Sequence, residues 1–475
     1  MENILLIPGQ HIHIVGISGF GMSAIARILM ENGYVVSGSD QKLNALSLAL
    51  RENGVTIYEG HTEENIEGAE LVLISSAIPK DNPELQAAQR QQIQVVHRRD
   101  FMRAITEGQR TIAIAGTHGK TTTTAMLAYV LVEAGFDPSY IVGGVVKNLG
   151  TNAGAGPGEF FVIEADEYDL MFLGLNPSIA VVNNVEYDHP DFFRTPQEML
   201  AAFQSFVALL GPEGVLVACA DDGVAAELAA ERRKQLLPVL TYGVENKNAD
   251  WWAVDLKPND KNGTDFVVCH AEIGGGVIGP ISLQLIGTHN VRNAMAAITA
   301  ARHIGVPFEA IADALAKFKG TERRSEVMGE VGGVKIVNDY AHHPTAIMLT
   351  LKAWRERIGQ GTLWAVWQPH TYSRTRALAD SFKDSFGSAH HALVTDVFAA
   401  REAFTAGPDS KDLAAMITET GHPDARYSGD LFETAQILAT EVQPGDIVVL
   451  LTAGDAPRIG QALLDVLNKR TRQRV

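Results

Sequence analysis

"TIAIAGTHGKTTTT", residues 111–124, decides the fold. An apolar run ends in a glycine turn, and the turn runs into Lys120-Thr121 at the start of a helix. Strand, glycine loop and helix N-terminus together make a phosphate cradle. Glycines let backbone N–H groups approach phosphate oxygens, and the helix start adds positive potential. Lys120 can reach a β- or γ-phosphate, and Thr121 or Thr122 can ligate Mg²⁺. The common form of this loop carries a further glycine at the place of Ile114, which here lies inside the strand.

The strand–helix rhythm continues on both sides. Upstream, "HIHIVGI", "YVVSGSD", "LVLISSA" and "IQVVHR" read as strands, with helices in "GMSAIARILMENG", stopped by Gly33, and "NPELQAAQRQQ". Downstream, "FFVIEAD", "IAVVNNV" and "GVLVACAD" continue a parallel series. The rhythm then changes. Two alternating runs flank Asn262-Gly263, a hairpin signal, and "GGGVIGP" reads as a turn before a strand in "ISLQLIG". Helices follow in "NVRNAMAAITAARHIG" and "PFEAIADALAKF", then strands in "VKIVNDYA", "LWAVWQP", "HALVTDV" and "DIVVLLTAGD". The fold class is α/β in three domains. Residues 1–107 are Rossmann-like. Residues 108–322 are P-loop ATPase-like, with a mainly parallel sheet plus a small antiparallel patch, and residues 323–475 are Rossmann-like.

Bulk properties limit the function. A chain of 475 residues exceeds one core and divides into roughly two to four domains. Lys+Arg 39 against Asp+Glu 56 gives −17, which disfavours a general nucleic-acid or anionic-membrane surface. Cys219 and Cys269 are the only cysteines, so no disulfide framework is expected and the compartment is a reducing one. "MENILLIPGQ" lacks the basic start and apolar core of a signal peptide, and no stretch approaches the roughly 18 apolar residues of a membrane span. A cytoplasmic location is expected.

The chemistry concentrates after the strands. In "VIEADEYD", Glu164, Asp166, Glu167 and Asp169 repel one another unless a cation is present. "VVNNVEYDHPDFF" adds Asn184, Asp188 and His189 after another strand. Neighbouring parallel strands bring such residues to one crevice. Carboxylates with one imidazole and a Thr hydroxyl suit Mg²⁺, with Mn²⁺ as the alternative. Singly, these stretches also read as a solvated acidic loop and a structural histidine.

Gly-Thr-His-Gly-Lys-Thr-Thr, Glu-Ala-Asp-Glu, Asn184…Asp188-His189 and Gly287-Thr288-His289-Asn290…Asn293-Ala294 together resemble the Mur ligases, whose phosphate loop has this compact form. The resemblance implies ATP at Gly116, Thr117, His118, Gly119, Lys120, Thr121, Thr122, His289, Asn290, Asn293, Arg324 and Asp339. It implies magnesium at Thr121, Glu164 and His189. "HIHIVGISGFGMSAIARIL", "SSAIPKDNPEL" and "HRRD" resemble the family's uridine-nucleotide segment. They imply a UDP-substrate site at Gly16, Ser18, Gly19, Gly21, Met22, Ser23, Asp40, Ser75 and Arg99, beside Arg98, with Ser18 where glycine is common. "NDYAHHPTAI", "WQPHTYSRTRAL", "DVFAARE" and "LLTAGD" resemble the C-terminal domain, with His342, His343, His370 and Arg374 on its motif positions. Thr371 stands where Arg is frequent, so that anion contact is expected to be either missing or replaced by Arg376, and Thr452 stands where Gly is usual.

The resemblance implies a catalytic set of Lys120, Glu164, His189, His343, His370 and Arg374. The implied reaction joins L-alanine to the lactyl carboxylate of UDP-N-acetylmuramate through an acyl phosphate, in peptidoglycan precursor synthesis. His343 or His370 is expected to orient substrates or take the amine's proton. The alternative amine is the recycled L-alanyl-γ-D-glutamyl-diaminopimelate tripeptide. More remote alternatives are a dinucleotide-dependent oxidoreductase, with Asp40 on a ribose, and an ATP-dependent switch protein. The expected state is a monomer or weak homodimer, without nucleic-acid or membrane partners.

Overall fold

The computed structural model describes residues 4–272, 276–400 and 402–473. Arg401 of "DVFAARE" and residues 273–275, which carry part of the "GGGVIGP" turn, lie outside the described residues. The described residues form three sheets of five, ten and six strands.

The first sheet is parallel throughout, ordered Thr56–Glu59, Val35–Asp40, His11–Val15, Leu71–Ile74, Gln94–His97. The chain starts in the middle and winds first one way and then the other. The turn after His11–Val15 therefore opens at the crevice where such sheets take ligands. The strand expected in "IQVVHR" stops at His97, and Arg98 already begins the helix Arg98–Ile105.

The second sheet is built around Arg110–Ala115, flanked in parallel by Pro177–Val182 and Phe160–Glu164. Its strand is wholly buried beyond Arg110, as expected for a continuous apolar run covered on both faces. The helix Lys120–Glu133 follows and is buried from Thr121 to Leu131. It packs against Thr288–His303, whose Ala294, Ala296, Ala297, Ala300 and Ala301 allow close approach of the two helices. Trimming a buried Leu here, such as Leu127, to Ala costs about 2–5 kcal/mol.

The antiparallel patch is Trp251–Pro258, Thr264–His270 and Val277–Ser282. Its last strand runs over "VIGPIS", earlier than the expected "ISLQLIG". Pro280 is tolerated because this strand lies at the sheet's edge, where a missing N–H breaks no ladder. The third sheet runs Glu326–Val331, Val334–Asp339, Ile447–Leu451, Leu363–Trp367, His391–Thr395, Ala425–Gly429, parallel except at its first pair. Cys219 and Cys269 are free and buried. Among the described residues, no helix is long and apolar enough to cross a membrane.

Candidate active site

A cavity of about 1610 Å³ opens where the three sheets face one another, and residues of all three line it. At its centre Gly119 caps the helix Lys120–Glu133 in the left-handed region, φ 81°, with no side chain bonded to the first amides. Those N–H groups are left for a ligand. A Cβ on Gly119 would collide with Asn293 Oδ1, so only glycine fits. Thr117, His118, Gly119, Lys120, Thr121, Thr122, His289, Asn290, Asn293, Arg324 and Asp339 all line the cavity; Gly116 does not, and instead packs its backbone against Asn183 and Asn184.

Lys120 Nζ donates to Gly116 O at 2.7 Å and to both oxygens of Glu167, at 2.9 and 2.8 Å. Burial alone would lower the Lys120 pKa, but Glu167, Asp166 and Glu164 outweigh it and raise it above the ordinary value. The lysine is a fixed cation. Glu164 accepts from the Thr121 hydroxyl at 3.1 Å and from Gly143 N–H at 2.7 Å. Burial raises its pKa, against the pull of Lys120 and Arg324. A carboxylate and a hydroxyl side by side, with burial only partly compensated, make an oxygen donor pair that a hard divalent cation fits. His189 Nε2 instead lies 3.6 Å from Glu167 Oε1 and 3.7 Å from Asp188 Oδ2. Burial lowers its pKa, yet Asp188 and Glu167 raise it overall.

The third sheet reaches into this centre. Arg324 Nη2 donates to Thr121 Oγ1 at 3.0 Å, and its guanidinium lies over the Tyr340 ring. Asp339 accepts from Ser325 and from Ala341 N–H, which fixes the loop that carries Arg324. Arg374 Nε donates to Asp188 Oδ1 at 2.8 Å, both side chains nearly buried. Burial raises the Asp188 pKa, but His189 and Arg374 hold it well below the ordinary carboxylate range.

Arg374 also donates to His370 Nδ1 at 3.2 Å, which leaves the His370 proton on Nε2. His343 donates from Nε2 to Tyr187 O at 3.2 Å and accepts at Nδ1 from Thr345 N–H at 3.3 Å. Burial pushes both histidines down to about 4, so each is neutral near pH 7. His342 lies in the same cavity wall, with its pKa well below the ordinary value because of burial.

The first sheet supplies the far end. Gly16, Gly19, Gly21, Met22, Asp40, Ser75, Arg98 and Arg99 line the cavity. Ser18 and Ser23 do not: the Ser18 hydroxyl donates to Ser47 Oγ at 3.0 Å, and the Ser23 hydroxyl turns back to Phe20 O. Asp40 accepts the Ser18 N–H at 3.0 Å. Arg98 lies over Gly21, where a Cβ would come within 2.5 Å of its Nη1.

Arg376 does not take over from Thr371, because its guanidinium donates to Ala406 O, outside the cavity lining. Thr371 adopts φ 63° and caps the short helix that carries Arg374. Thr452 is fully buried and donates to Gln368 Oε1 at 2.7 Å. Left-handed φ recurs at non-glycine wall residues Asp169, His189, Arg323, Ser325 and Thr371, and such strain clusters at working sites.

Several site groups had no individual role legible in the sequence. Glu167 sat within an acidic run, and only packing makes it the partner of Lys120. Glu186 sat in "NNVEYDH" without an assignment, yet it accepts from His118 Nε2 at 2.7 Å and from the Thr345 hydroxyl at 2.6 Å. His61 lines the first sheet's end of the cavity and lies 3.0 Å from Glu84 behind it, and a lone histidine and a helical glutamate have no pattern to betray them.

Three family models match the chain: "Mur ligase family, catalytic domain" over residues 11–110, "Mur ligase middle domain" over 114–301, and "Mur ligase, glutamate ligase domain" over 323–454. A UDP-N-acetylmuramate–L-alanine ligase of Roseiflexus sp. (strain RS-1) is 40% identical, covering 97% of this chain and all of its own. The crystal structure of the UDP-N-acetylmuramate–alanine ligase from Thermotoga maritima superposes with TM-score 0.80 at 24% identity, covering 97% of this chain and 99% of that one. A murein peptide ligase from Psychrobacter arcticus gives TM-score 0.70 at 28% identity, with the same coverage.

Proposed function

The chain belongs to the Mur ligase family, and from that premise we propose the reaction and the residue roles that follow. It is an ATP-dependent ligase that joins L-alanine to the lactyl carboxylate of UDP-N-acetylmuramate in peptidoglycan precursor synthesis. The observation that carries this reading is the single cavity in which the uridine-type turn, the phosphate loop and the third sheet's His-Arg group all meet.

A carboxylate is a poor electrophile because its charge repels an amine. Transfer of the γ-phosphoryl group makes an acyl phosphate with a good leaving group. The alanine amine then attacks, and the tetrahedral intermediate expels phosphate. Lys120 neutralises charge on the migrating group once it exchanges Glu167 for phosphate oxygens. Thr121 and Glu164 would hold magnesium, with His189 beside them; bound there, the ion supplies charge neutralisation to the phosphates. The Gly16–Gly21 turn and Arg98 bind the diphosphate of the sugar substrate, so remote binding energy positions its carboxylate. The third unit closes over the site and excludes water from the acyl phosphate. His343 has both ring nitrogens engaged, so it holds the unit in place rather than taking a proton. His370 presents an N–H and serves to orient the amino acid's carboxylate.

The protein acts as a monomer or weak homodimer in the cytoplasm. The second reading, tripeptide as the amine, draws on the likeness to the murein peptide ligase. Phosphate release with ATP, Mg²⁺ and UDP-N-acetylmuramate separates the two, with products identified by mass. Turnover with L-alanine and none with the tripeptide is the expected result. The reverse pattern makes it the recycling enzyme.

A further inference from the structure

His118, Glu186 and His343 place one ligand atom each within 4.8 Å of one another. The three come from different parts of the chain. His118 belongs to the phosphate loop, Glu186 follows the strand Pro177–Val182, and His343 caps the helix Pro344–Arg355 of the third unit. His118 Nε2 and Glu186 Oε2 are 2.7 Å apart, and His343 Nδ1 is 3.8 Å from the same oxygen. The His118 and His343 rings stand 4.7 Å apart, centroid to centroid.

The surroundings orient these side chains. His343 gives its Nε2 proton to the carbonyl of Tyr187, which leaves the Nδ1 lone pair facing Glu186. Metal-bound histidines are held in this way, the second ring nitrogen fixed by a carbonyl or carboxylate. The amide of Thr345 reaches Nδ1 only at 3.3 Å, a long bond that an ion can displace. The other oxygen of Glu186 is held by the Thr345 hydroxyl at 2.6 Å, so the carboxylate is oriented as well. Burial keeps His343 neutral, the form that ligates.

We propose that His118, Glu186 and His343 form a binding site for a divalent transition ion of the zinc class, separate from the hard-oxygen pair Thr121 and Glu164. Two imidazoles and one carboxylate suit Zn²⁺ or Co²⁺, with remaining positions for water, and suit Mg²⁺ poorly. The ion takes the place of the hydrogen bridging His118 and Glu186. Because His343 belongs to the third unit, the bound ion fastens that unit to the phosphate loop. The site goes beyond the ligase reading, and its test does not depend on turnover.

The test is a Co²⁺ titration of the full chain in excess Mg²⁺, followed by the visible d–d bands and by displacement with Zn²⁺. The wild type is expected to give the intense bands of low-coordinate cobalt at one equivalent. His343→Ala and Glu186→Gln are expected to weaken binding at least tenfold, and Glu164→Gln to leave it unchanged. Thr345→Val, which keeps the side chain's shape and removes only the hydroxyl behind Glu186, is expected to weaken it roughly 10–100-fold. Melting without metal verifies that each variant is folded. Bands that survive His343→Ala and vanish in Glu164→Gln would place the ion at the Thr121 and Glu164 pair and overturn the proposal. A weak octahedral spectrum from the wild type would do the same.

Discussion

Two glycine turns follow two central strands, and both open a helix on a glycine N-cap, but the charges beside them differ. The turn at Gly16–Gly21 and the turn at Gly116–Thr121 each lead into a helix whose N-cap is a glycine with no side-chain cap bond. Both therefore offer free amides to an anion. At the first turn a carboxylate, Asp40, accepts the Ser18 N–H, and the nearest cation is Arg98 from another helix. At the second, Lys120 is the first residue of the helix itself and is paired with the fully buried Glu167. The first turn can hold a diphosphate; the second can also follow charge as a phosphoryl group moves. An uncapped helix start becomes a grip or an engine according to the charge placed beside it.

The comparison is broken most severely at Lys120. Lys120→Met is expected to lower turnover by about 10²–10³-fold or more, while the affinity for the UDP substrate, held at the other turn, stays unchanged in calorimetry. It also takes from the buried Glu167 its closest cation and leaves only His189, 3.6 Å away, beside it, at a cost of about 3–5 kcal/mol in denaturant unfolding. Adding Glu167→Gln restores the stability and not the turnover.

One positive-φ glycine from each turn comes next. At Gly119 the added methyl of alanine meets Asn293 Oδ1, itself held in a buried network. At Gly16 it meets only the tip of Ile78, at 3.2 Å. Both substitutions carry about 1–2 kcal/mol of left-handed strain. Gly119→Ala is expected to weaken ATP binding by at least about tenfold beyond that strain, whereas Gly16→Ala shows the strain alone in its melting curve.

Acid separates the regions further. Burial pushes His289, His343 and His370 each down to about 4, and all three line the cavity near the second turn. Their unfolded counterparts titrate near 6.5. Between those values the unfolded chain binds more protons, so the stability they contribute is full above about pH 6.5 and falls as pH drops toward 4. His189, raised by Asp188 and Glu167 against burial, acts in the opposite sense, one group against these three and His342, which burial also lowers. At the first sheet, burial raises Glu84, but the His13 ring 3.8 Å away and hydrogen bonds from Ser39 and Asn65 lower it overall, so its contribution is lost only below the ordinary carboxylate range. Hydrogen exchange from pH 7 to 5 is expected to show the second and third sheets loosening before the first. The smallest effect is Ser18→Gly: its hydroxyl binds Ser47 away from the cavity, so about 1 kcal/mol of stability goes and the KM for the UDP substrate holds.

Much of this was legible in the sequence because periodicity and glycine placement are local. The strand into Gly116, the hairpin at Asn262-Gly263 and the helix closed by Gly33 are each written within a dozen residues. Short or half-buried edge strands were not. Glu326–Val331 reads "EVMGEV", with no residue fully buried, and forms because Val334–Asp339 pairs with it. Site residues divide the same way. Lys120 and Thr121 announce themselves through the loop, while Glu167 and Glu186 differ from their acidic neighbours only through what packs on them from elsewhere. Arg376 and Arg374 stand two positions apart in one motif, and only the fold turns one to Asp188 and the other to a surface carbonyl.

In the proposed reaction the phosphate leaving the loop passes through the carboxylate of the sugar substrate. The test is to label both oxygens of that carboxylate with a heavy isotope and run one round of ligation with ATP and L-alanine. One heavy oxygen in the released inorganic phosphate, matched to product formed, is the expected result. Label in AMP, or phosphate with no label, would mean that no acyl phosphate forms and that the phosphate loop serves another reaction.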